Sequence, residues 1–209
     1  MKSQAPPSPA VKRLSLYLRE LERLSAEGVD KVSSRRLAES LHITDAQVRK
    51  DLGYFGQFGR RGVGYGVDRL IHALRRILGT DKTWNVIVVG TGDLGRALLR
   101  YRGFARRGFR LVAAFDVSRG KVGKRVGDVP VYHIDELPRV VRRTKVKLAV
   151  VAVPPEAAQE VADLLCSTGI VGILNFAPTT LETPDGVTVG LVDIAAHLEQ
   201  LSFSAANSQ

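Results

Sequence analysis

The sequence predicts an α/β protein in two parts: a small helical domain closed by a glycine-rich hairpin, then a doubly wound parallel sheet and a last helix. Three observations predict it. A β-branched run, Val86 to Val89, leads straight into Gly90-Thr91-Gly92-Asp93-Leu94-Gly95, a G-x-G-x-x-G turn that opens a helical pattern through Leu94, Ala97, Leu98 and Tyr101. A second strand pattern, Leu111 to Phe115, ends in Asp116, 21 residues beyond Gly95. Upstream, two short helical patterns around a brief turn are followed by a glycine-rich stretch with paired arginines.

In chain order, Ser8 as N-cap with Pro9 at the first helical position announces helix one. Leu14, Tyr17, Leu18, Leu21 and Leu24 form its apolar stripe, and Gly28 stops it. A second helix starts near Ser33 or Ser34 and carries Leu37, Ala38 and Leu41. Thr44-Asp45-Ala46-Gln47 fits a capping box, so a third helix runs from there to about Phe55. This is the helix-turn-helix pattern.

In the third helix Val48, Leu52 and Phe55 share the core side. The other side presents Ala46, Arg49, Lys50, Gly53 and Tyr54. Cations and a phenol beside small residues suit close approach to a polyanion, with Arg reading guanine and Lys meeting phosphate. Gly56 to Gly66 is a glycine-rich hairpin with Arg60, Arg61 and Gly62 at its tip, placed as the wing of a winged helix. Wing arginines enter the minor groove, where the potential is most negative. Ala46, Gln47, Arg49, Lys50, Tyr54, Arg60, Arg61 and Gly62 are therefore the candidate DNA-binding residues. A fourth helix, capped by Asp68, closes the domain at Gly79.

Charge follows the same division. The formal net charge is +10; residues 1–84 carry 16 Lys+Arg against 9 Asp+Glu, and the rest 15 against 12. The excess lies outside the dinucleotide fingerprint and implies a polyanionic partner for the first part.

In the second part each fingerprint glycine has a task. Gly90 permits the tight turn, Gly92 lets backbone approach a pyrophosphate, and Gly95 lets helix pack on strand. Asp116, at the roughly 20-residue spacing of a ribose-binding carboxylate, favours NAD over NADP. Leu148 to Val153 and Gly172 to Pro178 read as buried strands separated by an amphipathic helix over Glu156 to Cys166. Alternating strands and helices imply a parallel sheet covered on both faces, with ligands at the carboxyl strand ends. That places Val153, Pro154, Asn175, Phe176 and Ala177 near a nicotinamide. Thr180 to Val189 reads as a hairpin turning at Asp185-Gly186. Val192 to Phe203 is an amphipathic helix with no partner inside such a fold, which suggests packing on a second subunit. The tail, Ser204 to Gln209, is expected to be disordered.

The expected domains are 1–80, 81–190 and 191–209. No secretory signal, membrane span or metal-ligand spacing is visible, and one cysteine, Cys166, fits a reducing compartment. A dehydrogenase is the main competing reading, and a CoA-binding module related to acyl-CoA ligase subunits is the other. Against the first, the four histidines, His42, His72, His133 and His197, offer no clear general acid, and no Tyr-x-x-x-Lys pair exists. No catalytic residue is expected.

Taken together, Gln47-Val48-Arg49-Lys50-Asp51-Leu52, Tyr54-Phe55-Gly56, Gly59 to Tyr65, Gly90 to Gly95, Ile173 to Pro178 and Leu201-Ser202-Phe203 carry a specific likeness. On them the sequence resembles the Rex family of bacterial redox-sensing transcriptional repressors along almost its whole length. The resemblance implies a cytoplasmic homodimer with a winged helix, a Rossmann NAD(H) domain and a domain-swapped last helix. It implies binding to palindromic operator DNA when NAD⁺ dominates and release when NADH binds. By similarity Arg19, Tyr101 and Asp193 link nicotinamide, dimer interface and DNA-binding domain. The sequence departs from the family at Ile194, where members often carry Phe.

Overall fold

The structure, a computed structural model, describes residues 6–60 and 62–207. The chain divides into two compact units, one ending at Lys82 and the other beginning at Thr83.

The first unit contains α1 (Ser8–Ala26), β1 (Lys31–Val32), α2 (Ser34–Ser40), α3 (Asp45–Gly53), β2 (Gly59–Arg60), β3 (Gly64–Gly66) and α4 (Val67–Ile77). Leu14, Leu21, Leu37, Val48, Leu52 and Leu74 meet in its core. The wing is a real hairpin, but β3 is its central strand: β1, not anticipated, pairs antiparallel on the far side. Gly64 permits this approach. Its φ is +83°, and a Cβ there would sit 2.6 Å from the Val32 carbonyl oxygen.

Two expected caps are corrected. Ser8 is already helical and Pro7 is the N-cap; its carbonyl accepts from Ala10 N at 2.8 Å. Pro9 then lies in the first turn, where its missing N–H costs nothing. Likewise α4 begins at Val67 with Gly66 as N-cap, because Val67 N bonds Asp30 O at 2.9 Å. Asp68 instead accepts from Ser25 Oγ at 2.8 Å.

The second unit contains β4 (Trp84–Val89), α5 (Asp93–Arg100), α6 (Gly103–Arg106), β5 (Phe109–Asp116), β6 (Arg125–Val126), β7 (Val129–His133), α7 (Leu137–Thr144), β8 (Leu148–Val151), α8 (Pro155–Ser167), β9 (Gly172–Asn175), β10 (Thr188–Leu191) and α9 (Ile194–Ala206). The sheet order is β10-β9-β8-β4-β5-β7-β6, parallel except for the added edge strand β6. The order reverses between β4 and β8, the switch point at which such sheets bind ligands.

One sheet face packs Ile87, Phe115 and Val151 against Leu137, Val140 and Leu165 of α7 and α8. The other face packs Val86, Val88 and Ala114 with Leu99 of α5. On that second side an apolar cleft of about 500 Å³ stays open, lined by Phe104, Leu148, Val150, Val171 and Leu174. The buried side of α5 is Gly95 and Leu99; Leu94, Ala97 and Tyr101, expected on its apolar face, are exposed.

The expected hairpin at Thr180 to Val189 does not form. Asp185-Gly186 does turn, but β10 pairs parallel to β9, Thr188 opposite Gly172. A segment as short as this joins parallel strands only because it crosses from the carboxyl end of β9 back without a helix. The last helix continues to Ala206, past the expected start of the tail. None of its residues is buried within the chain, and Ile194, Leu198, Leu201 and Phe203 are 58–72% exposed.

Candidate functional site

The sequence points to two sites, one in each unit. In the first, Thr44 Oγ1 caps α3 by accepting from Gln47 N at 3.1 Å. Only that half of the capping box forms. The Gln47 amide turns to Asp51 instead, donating at 2.7 Å. Ala46, Arg49, Lys50 and Tyr54 lie exposed on one side of α3, and Gln47 is half-buried at its edge. Arg49 Nη1 reaches Asp45 Oδ2 at 2.5 Å and Ser34 Oγ at 3.2 Å. Arg60 and Gly62 are exposed at the wing; Arg61 lies outside the described residues. Ser33, Ser34, Arg49, Arg60, Gly62 and Tyr65 share a cleft of about 720 Å³. Ser33, Ser34 and Tyr65 were not legible as site residues, because the cleft joins three separate stretches of sequence.

Asp51 was also missed. It is fully buried and accepts from Arg13 Nε at 2.5 Å, Arg13 Nη2 at 2.9 Å, Tyr17 Oη at 2.6 Å and Gln47 Nε2. Burial opposes its charge, but the donors from Arg13, Tyr17 and Gln47 outweigh burial and hold its pKa below the usual value. The signal was available: an acid three residues after Val48 stands on the core side of the helix.

In the second unit Gly90 has φ +95°, and a Cβ there would lie 2.3 Å from the Ala152 carbonyl oxygen. At Gly95 a Cβ would lie 2.0 Å from the Gly90 carbonyl oxygen, so helix and turn touch through backbone alone. At Gly92 a Cβ meets nothing within 4 Å. Packing among the described residues therefore does not require a glycine there, and its open surroundings suit a pyrophosphate at the start of α5. Asp93 and Leu94 are exposed there, Asp93 paired with Arg96 at 2.5 Å.

Asp116, expected from its spacing to meet a ribose, already has partners within the chain. Its Oδ2 accepts from Thr91 N at 2.9 Å, Thr91 Oγ1 at 2.5 Å and Lys121 Nζ at 3.0 Å, and its Oδ1 from Ser118 N at 2.9 Å. The carboxylate thereby braces the glycine turn to the end of β5. Oδ2 thus takes three of these bonds and Oδ1 one. Burial raises its pKa, yet the donors from Thr91, Ser118 and Lys121 win and bring it to about 2. The lowered value makes the brace a source of stability above the ordinary carboxylate pKa of about 4, lost as pH falls from there toward about 2. Asp116→Asn should therefore lower stability at pH 7 by about 2 kcal/mol. Melting curves should show the gap from wild type closing as pH falls below about 4; a gap independent of pH would rule the charged brace out.

The other strand ends behave unequally. Val153 is half-buried and Pro154 exposed beyond β8. Asn175 is fully buried: its Oδ1 accepts from Ala177 N and its Nδ2 donates to Thr179 O, both at 2.9 Å. It shapes the loop that presents Phe176, half-buried, while Ala177 is buried. Arg19 is exposed on α1. Tyr101 is 61% exposed and meets Phe104 edge-on at 5.1 Å. Asp193 caps α9, accepting from Ala196 N at 3.0 Å. No hydrogen bond joins Tyr101 to Asp193 among the described residues. His72 and His197 bond to backbone carbonyls of their own helices, and His133 lies 3.0 Å from Asp135. Among the described residues no cluster of three His, Cys, Asp or Glu could hold a metal, and no helix is long and apolar enough to cross a membrane.

Comparison with known proteins covers both parts of the chain. A family model described as the N-terminus of putative DNA-binding proteins matches residues 7–53, and a CoA binding domain model matches residues 81–179. The redox-sensing transcriptional repressor Rex of Carboxydothermus hydrogenoformans is 48% identical over 98% of each chain. That of Streptomyces coelicolor is 46% identical over 97% of this chain and 78% of its own. A crystal structure of RSP with β-NAD⁺ and operator DNA superposes with a TM-score of 0.92 at 36% identity, covering 97% of this chain and 93% of that one. RSP with β-NADH gives 0.88 at 35% identity, covering 97% and 95%. The chain belongs to the Rex family of redox-sensing transcriptional repressors.

Proposed function

We propose that this chain is a cytoplasmic repressor that reads operator DNA with its first unit and the NADH/NAD⁺ ratio with its second. The observation that carries this is the likeness, over nearly the whole chain, to a protein crystallised with both β-NAD⁺ and operator DNA. The exposed cations of α3 and β2 and the open surroundings of Gly92 support each half separately. Here the coenzyme is a signal rather than a hydride donor, and the chain performs no catalysis of its own.

The DNA-contacting set is Ala46, Gln47, Arg49, Lys50, Tyr54, Arg60, Arg61 and Gly62. Gly90 to Gly95 would hold the pyrophosphate and Asp116 the ribose. Val153, Pro154 and Phe176 would flank the nicotinamide, with Asn175 and Ala177 shaping their loop. Oxidised and reduced rings differ by one positive charge and by planarity. A ligand shifts a two-state equilibrium only through differential affinity, and near-complete switching takes roughly 10⁴-fold, about 5.5 kcal/mol. A half-buried carboxylate near the ring would favour the cationic ring over the neutral one, and Asp193 is our candidate for it, acting with Tyr101 and Arg19. The protein would work as a homodimer. The exposed apolar face of α9 and the open apolar cleft on the sheet suit an exchange of last helices between subunits.

The test is fluorescence anisotropy with a palindromic duplex selected from random DNA, titrating NADH against fixed NAD⁺. Release by NADH is expected; a duplex held equally with either coenzyme refutes the reading. Asp193→Asn keeps an oxygen to cap α9 but removes the charge. The variant should bind the duplex with affinities in the two coenzymes within about threefold of each other, since little differential affinity remains. A wild-type response in Asp193→Asn would remove Asp193 from the switch.

A further inference from the structure

We propose that Asp51 is a positioning residue for DNA reading: it fixes the roll of α3 against α1, so that Arg49 and its neighbours meet base edges in register. The inference rests on the reading of α3 as the helix that enters the groove.

Three side chains converge on this one carboxylate. Arg13 and Tyr17 stand one turn apart on α1, and Gln47 stands one turn before Asp51 on α3. Oδ2 takes Arg13 Nε and Tyr17 Oη; Oδ1 takes Arg13 Nη2 and Gln47 Nε2. Both oxygens are thus used, by donors from two helices. Val48 and Leu52, next to Asp51, already pack into the core with Leu14 and Leu21. That packing holds the helices together but leaves their relative roll soft, because apolar contact has no direction. Hydrogen bonds have direction. A buried ion pair is also a poor way to gain stability, since desolvation offsets attraction and apolar replacements are often as stable. The arrangement therefore makes sense as geometry.

The lever is long enough to matter. Arg49 precedes Asp51 by two positions and so lies on the opposite side of α3. A roll of about 15° moves a group roughly 6 Å from the helix axis by about 1.5 Å. That is half a hydrogen-bond length, enough to break a base contact. Phosphate contacts made by flexible cations tolerate it.

The experiment compares the full chain, saturated with NAD⁺, on the selected palindrome and on a scrambled duplex of equal length. The variants are Asp51→Asn, Tyr17→Phe and the apolar combination Arg13→Met with Tyr17→Phe and Asp51→Leu. The apolar combination should fold with a melting temperature near wild type. It should lose about ten- to a hundredfold in palindrome affinity, the value of one or two misplaced base contacts, and stay within about threefold on scrambled DNA. Tyr17→Phe removes one hydroxyl from a ring that stays packed, and should lose part of the discrimination even if the Asp51 variants do not fold. Equal losses on both duplexes would mean a merely structural role and overturn the proposal, as would unchanged discrimination in all folded variants. A wild-type protein that does not distinguish the two duplexes overturns the DNA-reading function itself, and this proposal with it.

Discussion

Gly92→Ala is expected to fold like wild type and to bind NAD(H) weakly, whereas Gly95→Ala is expected to destabilise the coenzyme unit itself. The two glycines lie three residues apart in one motif, but their surroundings differ completely. A methyl at Gly92 meets nothing within 4 Å and the backbone φ is −67°, so the chain itself does not object. The methyl would occupy the space through which a pyrophosphate approaches, weakening both NAD⁺ and NADH by about tenfold or more, 1.4 kcal/mol or above. At Gly95 the methyl would sit 2.0 Å from the Gly90 carbonyl oxygen, and neither helix nor turn can yield without moving β4. Overpacking of that kind costs up to about 3 kcal/mol, or a fall in melting temperature on the order of 10 °C. Calorimetry and coenzyme titration on both variants separate the roles. Tight coenzyme binding by Gly92→Ala would remove the pyrophosphate from this turn.

Arg60→Ala is expected to weaken the palindrome at every NADH/NAD⁺ ratio and to lower the salt dependence of binding by about one unit in slope. Arg60 is exposed on β2 and ion-paired with no described residue, so its charge is available to a phosphate or a narrow minor groove. Arg49→Ala should act differently. Arg49 is held by Asp45, but that pair is about half exposed on both sides. Solvent screens an exposed pair, which contributes less than a bidentate contact to guanine, worth roughly 1–3 kcal/mol of discrimination. Arg49 can therefore leave Asp45 for a base. Its loss should flatten sequence preference at one position in each half-site, which a panel of single-base palindrome variants would reveal. A uniform loss across that panel would make Arg49 a phosphate contact instead.

Much of this was legible in the sequence for a physical reason. Gly90 to Gly95 and Asp116 are local: a strand, a turn and a helix start impose residue types at fixed spacing. The exposed side of α3 was legible from helical periodicity, since Ala46, Arg49, Lys50 and Tyr54 recur where Val48 and Leu52 do not. What escaped depends on contacts far apart in sequence. The bond from Tyr17 to Asp51 spans 34 residues, and that from Thr91 to Asp116 spans 25. The cleft between Ser34, Arg49 and Arg60 has no linear signature. The Thr180 to Val189 stretch failed as a hairpin because a turn dipeptide predicts reversal, not which strand lies beside the returning chain. The buried side of α5 is not legible from its apolar residues, because its close packing uses Gly95, which carries no hydrophobic signal, while Leu94 and Tyr101 lie exposed.

Coenzyme redox state and DNA binding in the proposed repressor form one coupled equilibrium, and coupling between two ligands must be reciprocal. The direct measurement is calorimetric titration of NADH into the free protein and into the protein saturated with the selected palindrome. DNA is expected to weaken NADH binding by the same factor by which NADH weakens DNA binding, while NAD⁺ binding is not weakened. NADH binding with the same affinity in the presence and absence of DNA would contradict it.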